Sequence, residues 1–263
     1  MGSMINVENQ SKIGEINYNN FGSKMIIVKF INKTHIDIYF PKYNWIAKDR
    51  YYSDFIRGGV ACPYEPKLCG VGYMGEGKYK SRVDGKKTKV YREWQNMLHR
   101  CYGVEKNNPT YRGCEVCEEW HNFQNFAKWY YENYYEIEGE TMCLDKDILF
   151  KGNKIYSPQT CIFVPNRINT LFIKSDKVRG EYPIGVSYHK RDDNLRVGCS
   201  IYHNGKKEIA RLGSFPPNKP FQAFTCYKNF KENYIKQIAD EYKDLIPQKL
   251  YDAMYRYEVE IND

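Results

Sequence analysis

Leu144-Asp145-Lys146-Asp147, then Ile155-Tyr156-Ser157-Pro158-Gln159-Thr160-Cys161, then Val164-Pro165-Asn166-Arg167-Ile168-Asn169: these three runs decide the fold. An acidic strand end, a turn closed by Tyr-Ser-Pro and an Asn-bearing helix start follow one another within about 25 residues. They predict a hairpin over Met142 to Thr160 and a helix from Pro165 to about Ile173. A carboxylate from one and an amide oxygen from the other are hard ligands of the kind Mg²⁺ prefers. One such cation polarises a phosphate and stabilises a departing oxyanion.

Upstream, Lys24-Met25-Ile26-Ile27-Val28-Lys29-Phe30 and Thr34-His35-Ile36-Asp37-Ile38-Tyr39-Phe40 read as strands joined through Ile31-Asn32-Lys33. The glycines from Gly70 to Gly77 lack the Lys-Ser/Thr ending of a phosphate-cradling loop and mark turns instead. Apolar positions 90, 91, 94, 97, 98, 101 and 102 have helix spacing. A second, aromatic-rich helix runs through Trp120, Phe123, Phe126, Ala127, Trp129 and Tyr130. Both aromatic stripes are read as core before they are read as base-stacking platforms. Downstream, three strands are predicted at Ile184 to His189, Leu195 to Tyr202 and Lys207 to Phe215. Asp192-Asp193-Asn194 and His203-Asn204-Gly205 supply the turns. A helix from about Pro220 to Tyr242 and a short helical, acidic tail complete the chain.

At 263 residues, this pattern gives an α+β protein of three small modules: a β-rich N-terminal module over 5–80, a central hairpin-and-helix module over 89–175, and a three-stranded sheet with its helix over 179–263. Hydrophobic residues make up 42% of the chain, which excludes wholesale disorder. The net charge of +8 is unevenly spread. Ten basic residues face three acidic ones from Lys78 to Arg112, and ten face five from Lys174 to Lys219. From Lys231 to Asp263 the balance reverses to five against eight, so positive charge concentrates where phosphate contacts are expected. No apolar run is long enough to span a membrane. Met1-Gly2-Ser3-Met4 reads as a vector scar, not a signal peptide. Nine irregularly spaced cysteines argue against a disulfide framework and for a reducing cytoplasm.

Tyr91-Arg92-Glu93-Trp94-Gln95-Asn96-Met97-Leu98-His99-Arg100-Cys101-Tyr102 resembles the Trp-x-x-Met-x-x-Arg-Cys-Tyr opening of phage-encoded HNH (ββα-metal) endonucleases. Tyr111 to Trp120, Phe123-Gln124-Asn125-Phe126, Leu144-Asp145-Lys146, Tyr156-Ser157-Pro158 and Asn166 to Asn169 are similar to that family's later blocks. Gly185-Val186, Leu212-Gly213-Ser214-Phe215 and the helix after Asn218 look like a C-terminal APETALA2-type DNA-binding domain. The resemblance covers about Tyr91 to Asp240. It implies a Mg²⁺- or Mn²⁺-dependent nuclease in a bacterial host cell, of nicking or homing type, acting on double-stranded DNA.

Carried over, Asp145 takes the metal-carboxylate position and Asn166 the final metal-ligand position, with Asn169 as a second candidate. The family's His general base is here Lys146, and the Asn that orients it is closest to Thr160. Loss of a base costs about 10²–10⁴-fold in rate. Tyr156 as a positioned hydroxyl, Asp147 as a carboxylate base or His121 from the preceding helix would have to replace it; hairpin core, turn acid and surface or capping group are their bland readings. Asn166 is equally a helix cap. Cys114-x-x-Cys117 lacks the second close pair that structural zinc wants, so zinc is not expected. In the last module Lys190, Arg191, Arg196, Lys206 and Arg211 are the expected DNA contacts, with a solvated basic sheet edge as the bland reading. Two functions follow: a metal-dependent endonuclease, or a scaffold that lost its base and serves as a DNA-binding regulator or as a phage inhibitor of a host defence protein.

Overall fold

Alternation in β3 (His35–Phe40) sets the first layer: Ile36, Ile38 and Phe40 are buried, while the residues between them are partly exposed. In the computed structural model, which describes residues 12–104, 109–173, 181–203, 206–261 and 263, β3 lies inside an antiparallel meander. β1 (Ile16–Tyr18) pairs with β2 (Lys24–Phe30), β2 with β3, and β3 with β4 (Trp45–Tyr51). Met25 and Ile27 from β2, Ala47 from β4 and Phe55 from the short helix α1 (Tyr52–Ile56) close its core. A two-residue ribbon, β5 (Arg82–Val83) with β6 (Lys86–Lys87), precedes α2 (Lys89–Tyr102). Thr88 caps α2 by accepting from the Tyr91 amide at 3.3 Å. Val90, Trp94, Met97 and Leu98 form its buried face. After β7 (Glu115–Val116) and a 3₁₀ turn over Glu118–His121 comes α3 (Phe123–Asn133). Its Phe123, Phe126, Trp129 and Tyr130 are buried, so the aromatic stripes are core, as expected.

The chain divides into two compact units between Glu132 and Asn133. That division falls inside the stretch 89–175 expected as one module. It leaves α2 and α3 with the N-terminal sheet's unit and the central hairpin with the C-terminal sheet's unit.

In the second unit β8 (Met142–Asp145) runs antiparallel to β10 (Ile162–Pro165), with Asp145 opposite Ile162 and Pro165 opposite Met142. Sequence reading ended this hairpin at Thr160; the true partner strand starts two residues beyond it. The short strand β9 (Ile155–Tyr156) lies between them in sequence. The helix expected to about Ile173 is shorter: α4 (Asn166–Asn169) passes into a 3₁₀ turn over Thr170–Phe172. Three strands follow, β11 (Val186–His189), β12 (Asn194–His203) and β13 (Lys206–Phe215), all antiparallel in the order β11-β12-β13. The expected turn at Asn204-Gly205 lies outside the described residues.

Both halves of this unit are held by one helix, α5 (Pro220–Glu241). Its first turns bury Ala223, Phe224 and Tyr227 against Val186, Leu195, Val197 and Cys199 of the sheet. Its later turns bury Tyr234, Ile235, Ile238 and Ala239 against Ile162, Val164, Ile168 and Leu171 of the hairpin region. Leu250 and Met254 of α6 (Gln248–Tyr255) complete that second core. Gly185 is required where the sheet meets α5: its φ is +78°, and a Cβ there would sit 2.0 Å from the Tyr227 ring. The tail docks through Lys151, whose ammonium meets the Asp263 carboxylate at 2.7 Å and donates to the Glu258 carbonyl at 2.9 Å. Among the described residues no helix is long and apolar enough to cross a membrane.

Candidate functional site

Asp145 ends β8 and turns its carboxylate back on its own chain. Oδ1 accepts from the Asp147 amide at 2.9 Å and the Ile148 amide at 2.7 Å, a local turn cap. Its pKa is pushed up to about 6, first by burial of the charge and then by the neighbouring Asp147 carboxylate. The two amides and Lys146 counter those effects only in part. Oδ2 takes no hydrogen bond among the described residues.

Asn166 lies at the other end of the strand pair. Its amide N–H donates to the Thr141 carbonyl at 2.8 Å, four residues before Asp145. At about 3.3 Å per strand residue, the two backbones are on the order of 13 Å apart. The Asn166 side-chain oxygen is 3.7 Å from the Cys143 thiol, on the β8 face that Cys143 shares with Asp145. Register thus sets the two backbones at opposite ends of the strand pair, with the Asn166 side chain turned toward β8. Asn166 does not cap α4 through its side chain either: it is the first helical residue, and Pro165 precedes it without a side-chain bond. Within α4, Arg167 is spent on Glu241 of α5 at 2.7 Å.

The three substitutes for the missing base are set in different surroundings. Tyr156 is buried, and the Lys146 ammonium lies 5.9 Å from the centre of its ring. Lys146, at the base's position, meets the Asp147 carboxylate at 3.3 Å, so Asp147 is an exposed acid beside a cation. Thr160 closes the Tyr-Ser-Pro turn, donating to the Ile155 carbonyl at 2.7 Å and meeting the Ser157 hydroxyl at 2.9 Å. His121 belongs to the first unit, where its Nε2 is 3.1 Å from the Val116 carbonyl and 3.5 Å from the Tyr102 hydroxyl. None of the nine cysteines forms a disulfide. Among the described residues no three His, Cys, Asp or Glu side chains converge as a metal site would require.

The C-terminal sheet is arranged in the opposite way. Leu195, Val197 and Cys199 point into the core, so Arg196, Gly198 and Ser200 point out. Register places Arg196 between Ser187 and Ser214, Gly198 opposite Arg211, and Ser200 opposite Ile209. The outer face is thus small residues interleaved with two arginines and one isoleucine, and it forms a shallow depression of about 560 Å³. Ile209 is 72% exposed there, an apolar side chain with no core to bury it. Asp192, in the β11–β12 turn, accepts from the Arg196 guanidinium and from Arg191 at 3.1 Å, and its carboxylate lies 3.0 Å from His189 Nδ1. Those guanidinium hydrogen bonds hold the Asp192 carboxylate below its ordinary range. Arg211, Lys190 and Lys206 make no ion pair among the described residues. Sequence reading found the five basic residues but missed Asp192 as the group that orients two of them. The signal was an acid four residues before an arginine, across a tight turn.

Comparison with protein-family models, with curated proteins and with solved structures finds no match to this chain. The functional reading therefore rests on the chemistry of these groups.

Proposed function

We propose that this chain is a DNA-binding protein that holds double-stranded DNA on the outer face of its C-terminal sheet, with a central hairpin that serves as scaffold. The observation that carries the reading is the outward row of Arg196, Gly198 and Arg211 on a face otherwise made of Ile209 and small side chains. Small residues let a sheet's backbone approach the groove closely. Arginine pairs with guanine through two hydrogen bonds or with phosphate through its fork. Arg196 is pre-oriented by Asp192, and Arg211 is uncommitted. Duplex binding measured by fluorescence anisotropy should weaken steeply with salt, as counterion release demands. Arg211→Gln should cost about 1–3 kcal/mol if it reads a base, or lower the salt slope by about one if it contacts phosphate. Binding that ignores salt, or a double Arg196→Gln, Arg211→Gln variant with unaltered affinity, sinks the reading.

One observation favours a second reading, DNA hydrolysis at the hairpin: Asp145 keeps Oδ2 open beside Asp147, with a pKa near neutrality. Supercoiled plasmid nicked in Mg²⁺ or Mn²⁺ by the wild type and not by Asp145→Ala would establish it. Plasmid left intact across both metals removes it. A complex with a host protein that survives moderate salt would point to the inhibitor role instead.

A further inference from the structure

We infer that the N-terminal unit carries a separate pocket for a nucleotide, a planar base bearing a phosphate. The cavity has a volume of about 670 Å³ and is lined by Trp45, Arg50, Tyr73, Glu76, Tyr91 and Gln95 among others. That is the size range of small-molecule sites. Its walls are aromatic and fixed. Trp45 packs on Phe40 at 5.6 Å between ring centres and meets Tyr64 at 6.5 Å, which meets Tyr73 at 6.0 Å. On α2, Tyr91 lies 5.8 Å from Trp94, whose indole N–H is locked onto the Trp120 carbonyl at 2.7 Å. Gly72 lets the loop carrying Tyr73 lie against α2, because a Cβ there would fall 2.5 Å from a Leu98 methyl group.

The polar groups around this aromatic lining select the ligand. Glu65 and Lys67 also line the cavity but cancel each other at 2.9 Å. The Arg50 side chain has no ion pair or hydrogen bond among the described residues and Glu76 has no ion pair, so one cation and one carboxylate remain without a charged partner. Gln95 receives Lys87 on its oxygen at 2.8 Å, which leaves its amide N–H₂ to donate. Glu76 accepts from the Tyr64 hydroxyl through one oxygen at 3.1 Å, which leaves the other to accept. An apolar ligand would leave all three groups unsatisfied. A simple cation is opposed by Arg50, and a simple anion by Glu76. A nucleobase satisfies the whole set: its faces stack on the aromatic walls, a ring or carbonyl acceptor meets Gln95, an exocyclic amine meets Glu76, and the phosphate meets Arg50. The ligand is either a free nucleotide or an unpaired nucleotide of a DNA strand. Neither depends on the C-terminal sheet.

The full chain is titrated with dAMP, dGMP, dCMP and TMP, followed by tryptophan fluorescence and calorimetry, beside deoxyadenosine and deoxyribose 5-phosphate. Nucleotides with an exocyclic amine should bind about tenfold more tightly than TMP, and either half-ligand should bind at least about tenfold more weakly than dAMP. Arg50→Gln, a surface change that leaves the core intact, should lose about tenfold for dAMP, and Gln95→Leu should weaken it as well. Arg211→Gln should leave dAMP binding unaltered, which separates this site from the DNA-binding face. A hairpin oligonucleotide with one unpaired adenine that displaces dAMP assigns the strand as source; failure to displace it, with dAMP bound, assigns the free nucleotide. Absence of nucleotide binding, equal binding of dAMP and deoxyribose 5-phosphate, or indifference to both Arg50→Gln and Gln95→Leu overturns the inference.

Discussion

The central hairpin and the C-terminal sheet share one helix and treat their polar groups in opposite ways. In the hairpin, the carboxylate of Asp145 is tied to two amides of its own turn, Thr160 is tied to the Ile155 carbonyl, and Arg167 is tied to Glu241. In the sheet, Arg211 is left without a partner among the described residues, and Arg196 is held facing outward by Asp192. A polar group satisfied within its own fold gains little from a ligand. A group such as Arg211, which makes no ion pair among the described residues, has its interaction free energy still to give. This contrast underlies the proposal that recognition lies on the sheet and structure in the hairpin.

The sharpest way to break this contrast is to attack what the two regions have in common. Ile235 is fully buried in α5, within the core that joins the helix to the hairpin. Ile235→Ala removes buried methyl groups and leaves a cavity, at a cost of about 2–5 kcal/mol. Urea unfolding should show that loss as a single transition followed identically by probes on the hairpin and on the sheet. Two separate transitions, with only the hairpin destabilised, would mean that α5 does not couple the regions.

Period made some of this legible in the sequence and its absence hid the rest. β3 and β12 alternate, and α2 repeats its apolar residues at helical spacing; these were readable from side chains alone. β10 was not. Ile162, Phe163, Val164 and Pro165 are all buried, so the strand has no alternating signal, and it ends in a proline that argues against a strand. Ile155-Tyr156, β-branched then aromatic, drew the expected pairing to the wrong run. The division at Glu132 and Asn133 was equally hidden, because it comes from where α5 packs, about 90–110 residues downstream in the chain. At the site, residue types were readable and their register was not. Asp145 and Asn166 carry metal-ligating atoms, but only register shows them at opposite ends of a strand pair.

A smaller effect sharpens the structural reading of Asp145. Its folded pKa of about 6 lies above the ordinary carboxylate value, so the folded state holds the proton more tightly than the unfolded chain does. Its contribution to stability is therefore most favourable below about pH 4 and falls as pH rises to about 6, above which the half-buried charge persists. Asp145→Asn keeps the side-chain oxygen that the Asp147 and Ile148 amides need and removes the charge. Thermal unfolding should show the variant more stable by about 1–2 kcal/mol at pH 8 and no more stable than wild type at pH 4. A variant destabilised at pH 8 would show that the fold needs the charge itself.

The smallest change bears on what Asp192 does for the sheet. Asp192→Ala removes one negative charge beside the proposed DNA face, which by electrostatics alone raises affinity for any duplex about two- to threefold. It also releases Arg196 from its orienting carboxylate, so a freer side chain must be ordered on binding. The two effects act on different quantities: charge on affinity for all sequences, orientation on the difference between sequences. Measured at fixed salt, binding to random duplex should tighten slightly while the gap between preferred and random duplex narrows. A variant that tightens equally on both would reduce Asp192 to a repulsive charge and leave Arg196 oriented by the sheet alone. A narrowed gap would instead mark the turn acid as part of the recognition surface, in a segment whose sequence reads only as a turn.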